Sequence, residues 1–215
     1  MKEKQILKNI HGSAEPGRLI AIMGPTGSGK TSLLNVLAAR TLASGAASLS
    51  GEILIDGKQR DEETFRRHSA YVQQDDVVYA HQTVSETLQM AADLRLRDAS
   101  QEQSSRLVQS LIQQLGLVRA KDTEIGNSRV RGVSGGERKR TNIGIELTAD
   151  PGVLFLDEPT SGLDSFQAEA VVRVLSKLCQ EGRTIFMSIH QPSSQVHPST
   201  SLCRRSPSSS LPVPA

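Results

Sequence analysis

The chain has 215 residues, 37% of them hydrophobic, which fits one globular domain carrying at most a small inserted subdomain. Lys and Arg number 25 against 23 Asp and Glu, a formal net charge of +2, so no global basic field recruits nucleic acid and any anionic ligand has to be held locally. Aromatic residues make up only 3%, with no Trp, which excludes a stacking platform for single-stranded nucleic acid, and no run approaches the roughly 18 apolar residues of a membrane helix.

In chain order, Leu19–Met23 (LIAIM) reads as a buried strand running into a Gly-rich loop, and SLLNVLAAR at 32–40 follows at helical spacing. EILIDG at 52–57 reads as a strand ending in an Asp56-Gly57 turn, and Ala70–Val72 as another strand. Between Gln74 and Ser134 helix signals replace strand signals. Thr83 with Glu86 is a capping box, and Leu107, Val108, Leu111, Ile112 and Leu115 form an apolar stripe ended by Gly116. VLFL at 153–156 and TIFMSI at 184–189 are further buried strands. They flank a helix at about 165–180, with Ala168, Val171, Val172, Leu175 and Leu178 on one face and Gly182 at its end.

This alternation predicts an α/β fold with a mostly parallel sheet, interrupted by a helical subdomain at about 75–148. The core domain is expected over 1–192. Five of the 9 Pro lie at 192 or later and no Asp or Glu follows Glu181, so 193–215 is expected to be a disordered Ser/Pro-rich tail. Cys179 and Cys203 make no metal or disulfide spacing, so a reducing compartment is the default.

Three motifs carry chemistry. Gly24-Pro25-Thr26-Gly27-Ser28-Gly29-Lys30-Thr31 satisfies G-x-x-x-x-G-K-[ST] between a strand and a helix. Its glycines let backbone N–H groups converge on phosphate oxygens, Lys30 reaches the β and γ phosphates of a nucleotide, and the Thr31 hydroxyl coordinates Mg²⁺. Asp157-Glu158 follows a buried strand at the end where open α/β sheets bind ligands; Asp157 suits the Mg²⁺ shell and Glu158 a base that polarises the attacking water. Ser134-Gly135-Gly136-Glu137 is a second capping box, whose glycines bare a helix N-terminus to an anion. Arg138, Lys139 and Arg140, just beyond, read individually as a solvated basic face.

With SGGER in place the chain resembles the ATP-binding cassette (ABC) family. The resemblance implies that Ser134, Gly135 and Gly136 contact ATP held by the P-loop of a second cassette, giving a head-to-tail homo- or heterodimer with two composite sites. Tyr71-Val72-Gln73-Gln74 is similar to the family's Q-loop, whose glutamine meets Mg²⁺ and water; position favours Gln74, with Gln73 the alternative. Ser161-Gly162-Leu163-Asp164 resembles the D-loop, which implies a nucleotide-site role for Asp164, and His190 resembles the switch histidine that senses the γ-phosphate. GERKRTNIGIEL, LDEPTSGLDS and SIHQPSSQV narrow the resemblance to the ABCG, or White-Brown, half-transporters over roughly residues 5–196.

The implied function is an ATP-hydrolysing cassette that drives export by a transmembrane domain absent from this chain, at the cytosolic face of a membrane. The alternatives are a truncated cassette that binds nucleotide or a full-length partner without transport, and a soluble ABC ATPase. Two departures from the family stand out. No aromatic residue precedes Phe65 to stack on adenine, and the match stops near Val196, as in a truncated gene product.

Overall fold

A computed structural model describes residues 5–40, 48–96, 98–127 and 129–190, together with the backbone of 201–203. Its main sheet is five-stranded, in the order β4-β5-β6-β1-β7. The strands are β1 (Leu19–Met23), β4 (Ser69–Val72), β5 (Val153–Leu156), β6 (Thr184–Ile189) and β7 (Ser201–Cys203), and every pairing among them is parallel. Three residues of the expected tail thus form a short strand beside β1; the rest of 193–215 lies outside the described residues apart from these.

Alternation along each strand divides the core in two. Ala21, Val72, Leu154, Leu156, Ile185 and Met187 face one side. Ile22, Tyr71 and Phe155 face the other, where Leu34 and Ala38 pack with Phe65 and Phe186. On that second side the Phe155 and Phe186 rings stack with centroids 5.2 Å apart and Phe65 meets Phe155 edge-on at 6.2 Å, each pair worth about 0.5–1.5 kcal/mol beyond its burial. Three of the chain's four phenylalanines thus form one layer.

The helix after the Gly-rich loop, α1 (Lys30–Leu37), begins earlier and ends sooner than the expected 32–40. Ala39 turns the chain with φ 55°. The Arg60 guanidinium donates to the carbonyls of Val36 and Leu37, and Arg66 Nε to that of Ala39, so side chains from a later segment satisfy the helix end. The expected strand over 52–57 shrinks to β2 (Leu54–Ile55), which pairs antiparallel with β3 (Lys58–Gln59). Asp56 at φ 50° and Gly57 at φ 75° make the left-handed turn such a hairpin requires. The short α2 (Glu62–Arg67), capped by Asp61, has no buried residue and left no periodic apolar signal.

The inserted helices are α3 (Val84–Arg95), α4 (Gln101–Gln114) and α5 (Gly135–Leu147), each entered through a complete capping box, at Thr83/Glu86, Ser100/Gln103 and Ser134/Glu137. At the end of α4 the amides of Gly116 and Leu117 return to the carbonyls of Gln113 and Ile112, with Gly116 at φ 66°. The same closure ends α6 (Ser165–Gln180), where Gly182 and Arg183 bond back to Cys179 and Leu178. Helix α5 joins the insertion to the sheet. A Cβ on its Gly144 would lie 2.7 Å from Leu115 Cδ1 and 2.8 Å from Leu88 Cδ2, so α3 and α4 press directly on its backbone.

The loop leading into α5 is closed on itself. The Asn127 carboxamide oxygen accepts from the amides of Arg129 and Val130, and Val133 N–H reaches the Glu124 carbonyl. Gly132 crosses this loop so closely that an added Cβ would sit 2.3 Å from the Ile125 carbonyl oxygen. Rigid backbone on both sides leaves no cheap relief. Gly132→Ala is therefore expected to destabilise the fold by about 1–3 kcal/mol, the usual range for overpacking. A thermal melt should then show a midpoint lowered by roughly 2–4 °C per kcal/mol; an unchanged midpoint would contradict this crossing.

Candidate functional site

The parallel register brings the chemically charged positions to one edge of the sheet. Val72 pairs with Leu156, Leu156 with Met187, and Met23 with Ile189. Gln73, Asp157 and Ser188 therefore come level with one another, and Gly24 and His190 come level two residues further on, all toward the C-terminal side of the sheet, where open α/β sheets hold ligands.

The Gly-rich loop leaves β1 and enters α1 through a tight turn in which Ser28 N–H donates to the Pro25 carbonyl at 3.2 Å. Gly27 and Gly29 take φ 77° and 91°, conformations that a side chain resists, and a Cβ on Gly24 would lie 2.6 Å from Ser28 Oγ. Lys30 is buried at 7% exposure. Its ammonium donates to the carbonyls of Gly24 at 3.0 Å and Pro25 at 3.3 Å, and lies 3.6 Å from Glu158 Oε1. The Thr31 side chain is exposed on the first turn of α1. From the N-terminal side, Ile6 and Leu7 approach this loop, each with a carbon 3.3 Å from where a Gly29 Cβ would be.

The two carboxylates after β5 are held differently. Asp157 is buried, with Oδ1 accepting from Ser188 Oγ at 2.6 Å and Oδ2 from the Tyr71 hydroxyl at 3.5 Å. Burial, reinforced by the Asp157 charge, pushes the Tyr71 phenol well up, so it remains a protonated donor; the Arg40 guanidinium, 4.6 Å above the ring, acts in the opposite sense. Glu158 sits at φ 48°, a left-handed conformation costing of order 1–3 kcal/mol in a non-glycine residue. Its amide donates to Ser188 Oγ at 2.8 Å, and its carboxylate is reached by Lys30 and, at 3.2 Å, by the Gln74 side-chain amide. Ser188 thus clamps both acidic residues from the neighbouring strand.

Of the two glutamines, Gln74 reaches Glu158, whereas the Gln73 side chain is exposed and makes no hydrogen bond among the described residues. His190 Nε2 meets Thr26 Oγ1, joining the end of β6 to the Gly-rich loop. Lys30, Gln74, Asp157, Glu158 and His190 therefore line one continuous site with residues 24–31.

Ser134, Gly135 and Gly136 lie elsewhere, and no hydrogen bond or ion pair joins them to that group among the described residues. Ser134 caps α5, and the two glycines allow close packing on α6 as well as leaving the helix N-terminus open. A Cβ on Gly135 would lie 3.0 Å from Leu163 Cδ2, and one on Gly136 3.1 Å from Gln167 Cβ. Asp164 caps α6 by accepting from Gln167 N–H at 2.8 Å, so Ser134–Gly136 and 161–164 form a second, contiguous group.

The basic run after this motif departs from its expected solvated face. Lys139 is 4% exposed, and its ammonium bonds the Gln74 carbonyl and the Asp76 carboxylate, each at 2.8 Å. Arg138 and Arg140 are half-buried. Desolvation holds the Arg140 guanidinium below its ordinary value, with Glu137 opposing the shift. Ser188 belongs to the SIHQPSSQV stretch, but its bonds to Asp157 and Glu158 were not foreseen, because they join it to residues about 30 positions away.

A phosphate-binding loop after β1, an acidic pair after β5 and polar side chains from the strands that flank β5 define a nucleotide-binding ATPase domain. The sequence profile of the ABC transporter family matches residues 7–161, and the chain belongs to that family as an ATP-binding cassette of the ABC ATPase type. It is 48% identical over 193 residues to "ABC transporter G family member 7" of Arabidopsis thaliana, covering 89% of this chain and 26% of that protein. It is 53% identical over 192 residues to "Broad substrate specificity ATP-binding cassette transporter ABCG2" of Bos taurus, covering 88% of this chain and 28% of that one. The chain thus spans about a quarter of the length of these curated relatives. Among solved structures, cbiO1 from Clostridium perfringens, titled as part of the ABC transporter complex cbiONQ, aligns with a TM-score of 0.73 at 27% identity, over 86% of this chain and 72% of that chain.

The clamp made by Ser188 has a measurable consequence. Ser188→Ala strips a partner from a buried carboxylate and from the Glu158 amide together, and each unsatisfied group costs about 1–3 kcal/mol. Urea unfolding of the variant is expected to show a loss of at least about that size, and a midpoint equal to the wild type would refute the bridging role.

Proposed function

We propose that the chain binds ATP with Mg²⁺ and hydrolyses it as the nucleotide-binding cassette of an ABCG-type transporter, closing head-to-tail with a second cassette and coupling to a transmembrane domain that exports substrate. The reading rests above all on the convergence of Lys30, Gln74 and Glu158 beside the P-loop. On this reading the cassette works at the cytosolic face of a membrane through its partner domain; among the described residues no helix is long and apolar enough to cross one.

Lys30 is held by loop carbonyls and by Glu158. A nucleotide triphosphate offers it a stronger anionic partner, and the transfer of the ammonium to the phosphates releases the Glu158 carboxylate to take a proton from the attacking water. Gln74, hydrogen-bonded to Glu158, orients that water, and His190, beside Thr26, faces the γ-phosphate end of the loop. Ile6 and Leu7, which approach the loop at Gly29, offer an aliphatic surface on which the adenine would rest.

Thr31, Asp157 and Gln74 form a sparse, all-oxygen donor set, and among the described residues no cluster of three or more His, Cys, Asp or Glu competes with it. Such a set suits Mg²⁺, which takes one or two carboxylates and completes its shell with phosphates and water. The ion would neutralise charge developing on the phosphates. The open N-terminus of α5, at Ser134, Gly135 and Gly136, would meet ATP held by the partner cassette, with Asp164 alongside.

Three variants test this reading. Lys30→Ala is expected to abolish tight ATP binding, whereas Glu158→Gln should retain binding and slow hydrolysis roughly 10²–10⁴-fold, the worth of a positioned base. Ser134→Arg should be inactive alone, and mixing it with Lys30→Ala should restore partial turnover, because the mixed dimer contains one site with an intact P-loop and an intact signature. Full activity of the Ser134→Arg homodimer would overturn the composite site.

A further inference from the structure

An ammonium buried to 4% exposure is costly unless its donors are met, and Lys139 meets that cost with partners from a single loop. Its Nζ donates to the Gln74 carbonyl and pairs with Asp76 Oδ1, both at 2.8 Å. One turn further along the same face of α5, Asn142 Nδ2 donates to the same Asp76 oxygen at 3.0 Å. Two side chains three residues apart on a rigid helix therefore grip a loop from two points.

That loop carries Gln74, whose side chain reaches Glu158 at 3.2 Å. The Lys139 contact is to the backbone of the same residue, so it constrains where the glutamine side chain begins. Helix α5 itself starts at the Ser134–Gly136 motif, little more than one turn before Lys139. A continuous path of hydrogen bonds and one rigid helix thus runs from the motif facing a second cassette to the carboxylate proposed as base.

We propose that Lys139 is a positioning residue: by fixing the Gln74 carbonyl and the Asp76 carboxylate to α5, it sets the approach of the Gln74 amide to Glu158 and carries displacements of the signature helix to the hydrolytic site of its own cassette. The proposal rests on the ATPase reading above. Among the described residues Lys139 makes no hydrogen bond or ion pair with the P-loop or the acidic pair, so its effect falls on turnover rather than on nucleotide affinity.

The test is a double-mutant cycle in the full chain, with Lys139→Met, Gln74→Ala and their combination. ATP turnover and binding of a fluorescent ATP analogue are measured for each. Lys139→Met is expected to lower kcat about tenfold, the size of one coupled contact, with KM and analogue affinity within about twofold. Combined with Gln74→Ala it should cost nothing further. Multiplicative losses in the double variant, or a Lys139→Met chain as fast as wild type, would overturn the proposal.

A second readout does not depend on turnover. Amide hydrogen exchange of the nucleotide-free chain should accelerate at 73–76 in Lys139→Met while β5 is unchanged; Lys139→Gln serves in its place if the Met variant does not fold. Unaltered exchange at 73–76 would sink the positioning role even in a chain that hydrolyses no ATP. A wild type without turnover but with the expected exchange pattern would instead fault the ATPase reading.

Discussion

The register between parallel strands is the constraint on which the rest of the molecule depends. Val72, Leu156 and Met187 stand abreast on β4, β5 and β6, and Met23 stands beside Ile189 on β1 and β6. The same register that sends Phe155 and Phe186 to one face and Leu154, Leu156 and Met187 to the other brings Asp157 beside Ser188, while β6 and β1 run on together for two residues past the ends of β4 and β5. A slip of one residue would turn the aromatic layer into the opposite core and displace Asp157 from Ser188. Packing of the hydrophobic faces and assembly of the polar edge are therefore one geometric problem, solved once.

The polar edge is built from groups that would be expensive singly. Asp157 is buried, Glu158 adopts a left-handed backbone, and Lys30 is nearly enclosed. Each is accommodated because its neighbours are shared: Ser188 serves two acidic residues, and Glu158 serves both Lys30 and Gln74. Shared partners make the network cooperative, so loss of one group is felt by several. They also hold an ammonium, a carboxylate and a side-chain amide together beside the Gly-rich loop.

Helix α5 is the element through which distant parts of the chain meet. Its Gly144 receives Leu88 and Leu115, its Gly135 and Gly136 admit Leu163 and Gln167, and its Lys139 and Asn142 hold the segment after β4. Glycine at three of these positions lets other elements approach the helix backbone directly. A helix packed so closely on three sides shifts as a rigid body or not at all.

Strands β1, β4, β5 and β6, the P-loop, the capping boxes at Thr83 and Ser134 and the glycine stops at Gly116 and Gly182 were legible in the sequence, whereas β7 fell in the expected disordered tail. Their causes lie within a few residues: apolar alternation, an N-cap oxygen three positions from its partner, a left-handed site just past a helix. The end of α1, the minimal hairpin at 54–59 and α2 were not, because Arg60 and Arg66 close α1 from more than 20 positions away and α2 buries nothing. The nucleotide-site motif residues were visible as residue types in order, yet their division into a group around Lys30 and a separate group around Ser134 came only with the fold. Ser188 contacts Asp157 across 31 positions and Lys139 contacts Gln74 across 65, so although both residues lie in recognisable stretches no local pattern marked either contact. Sequence alone determined what neighbouring residues decide among themselves. Burial of a charge, the sharing of a hydroxyl and the contact of Gln74 with Glu158 were decided by tertiary structure, since each depends on which distant groups the sheet register brings within hydrogen-bond reach.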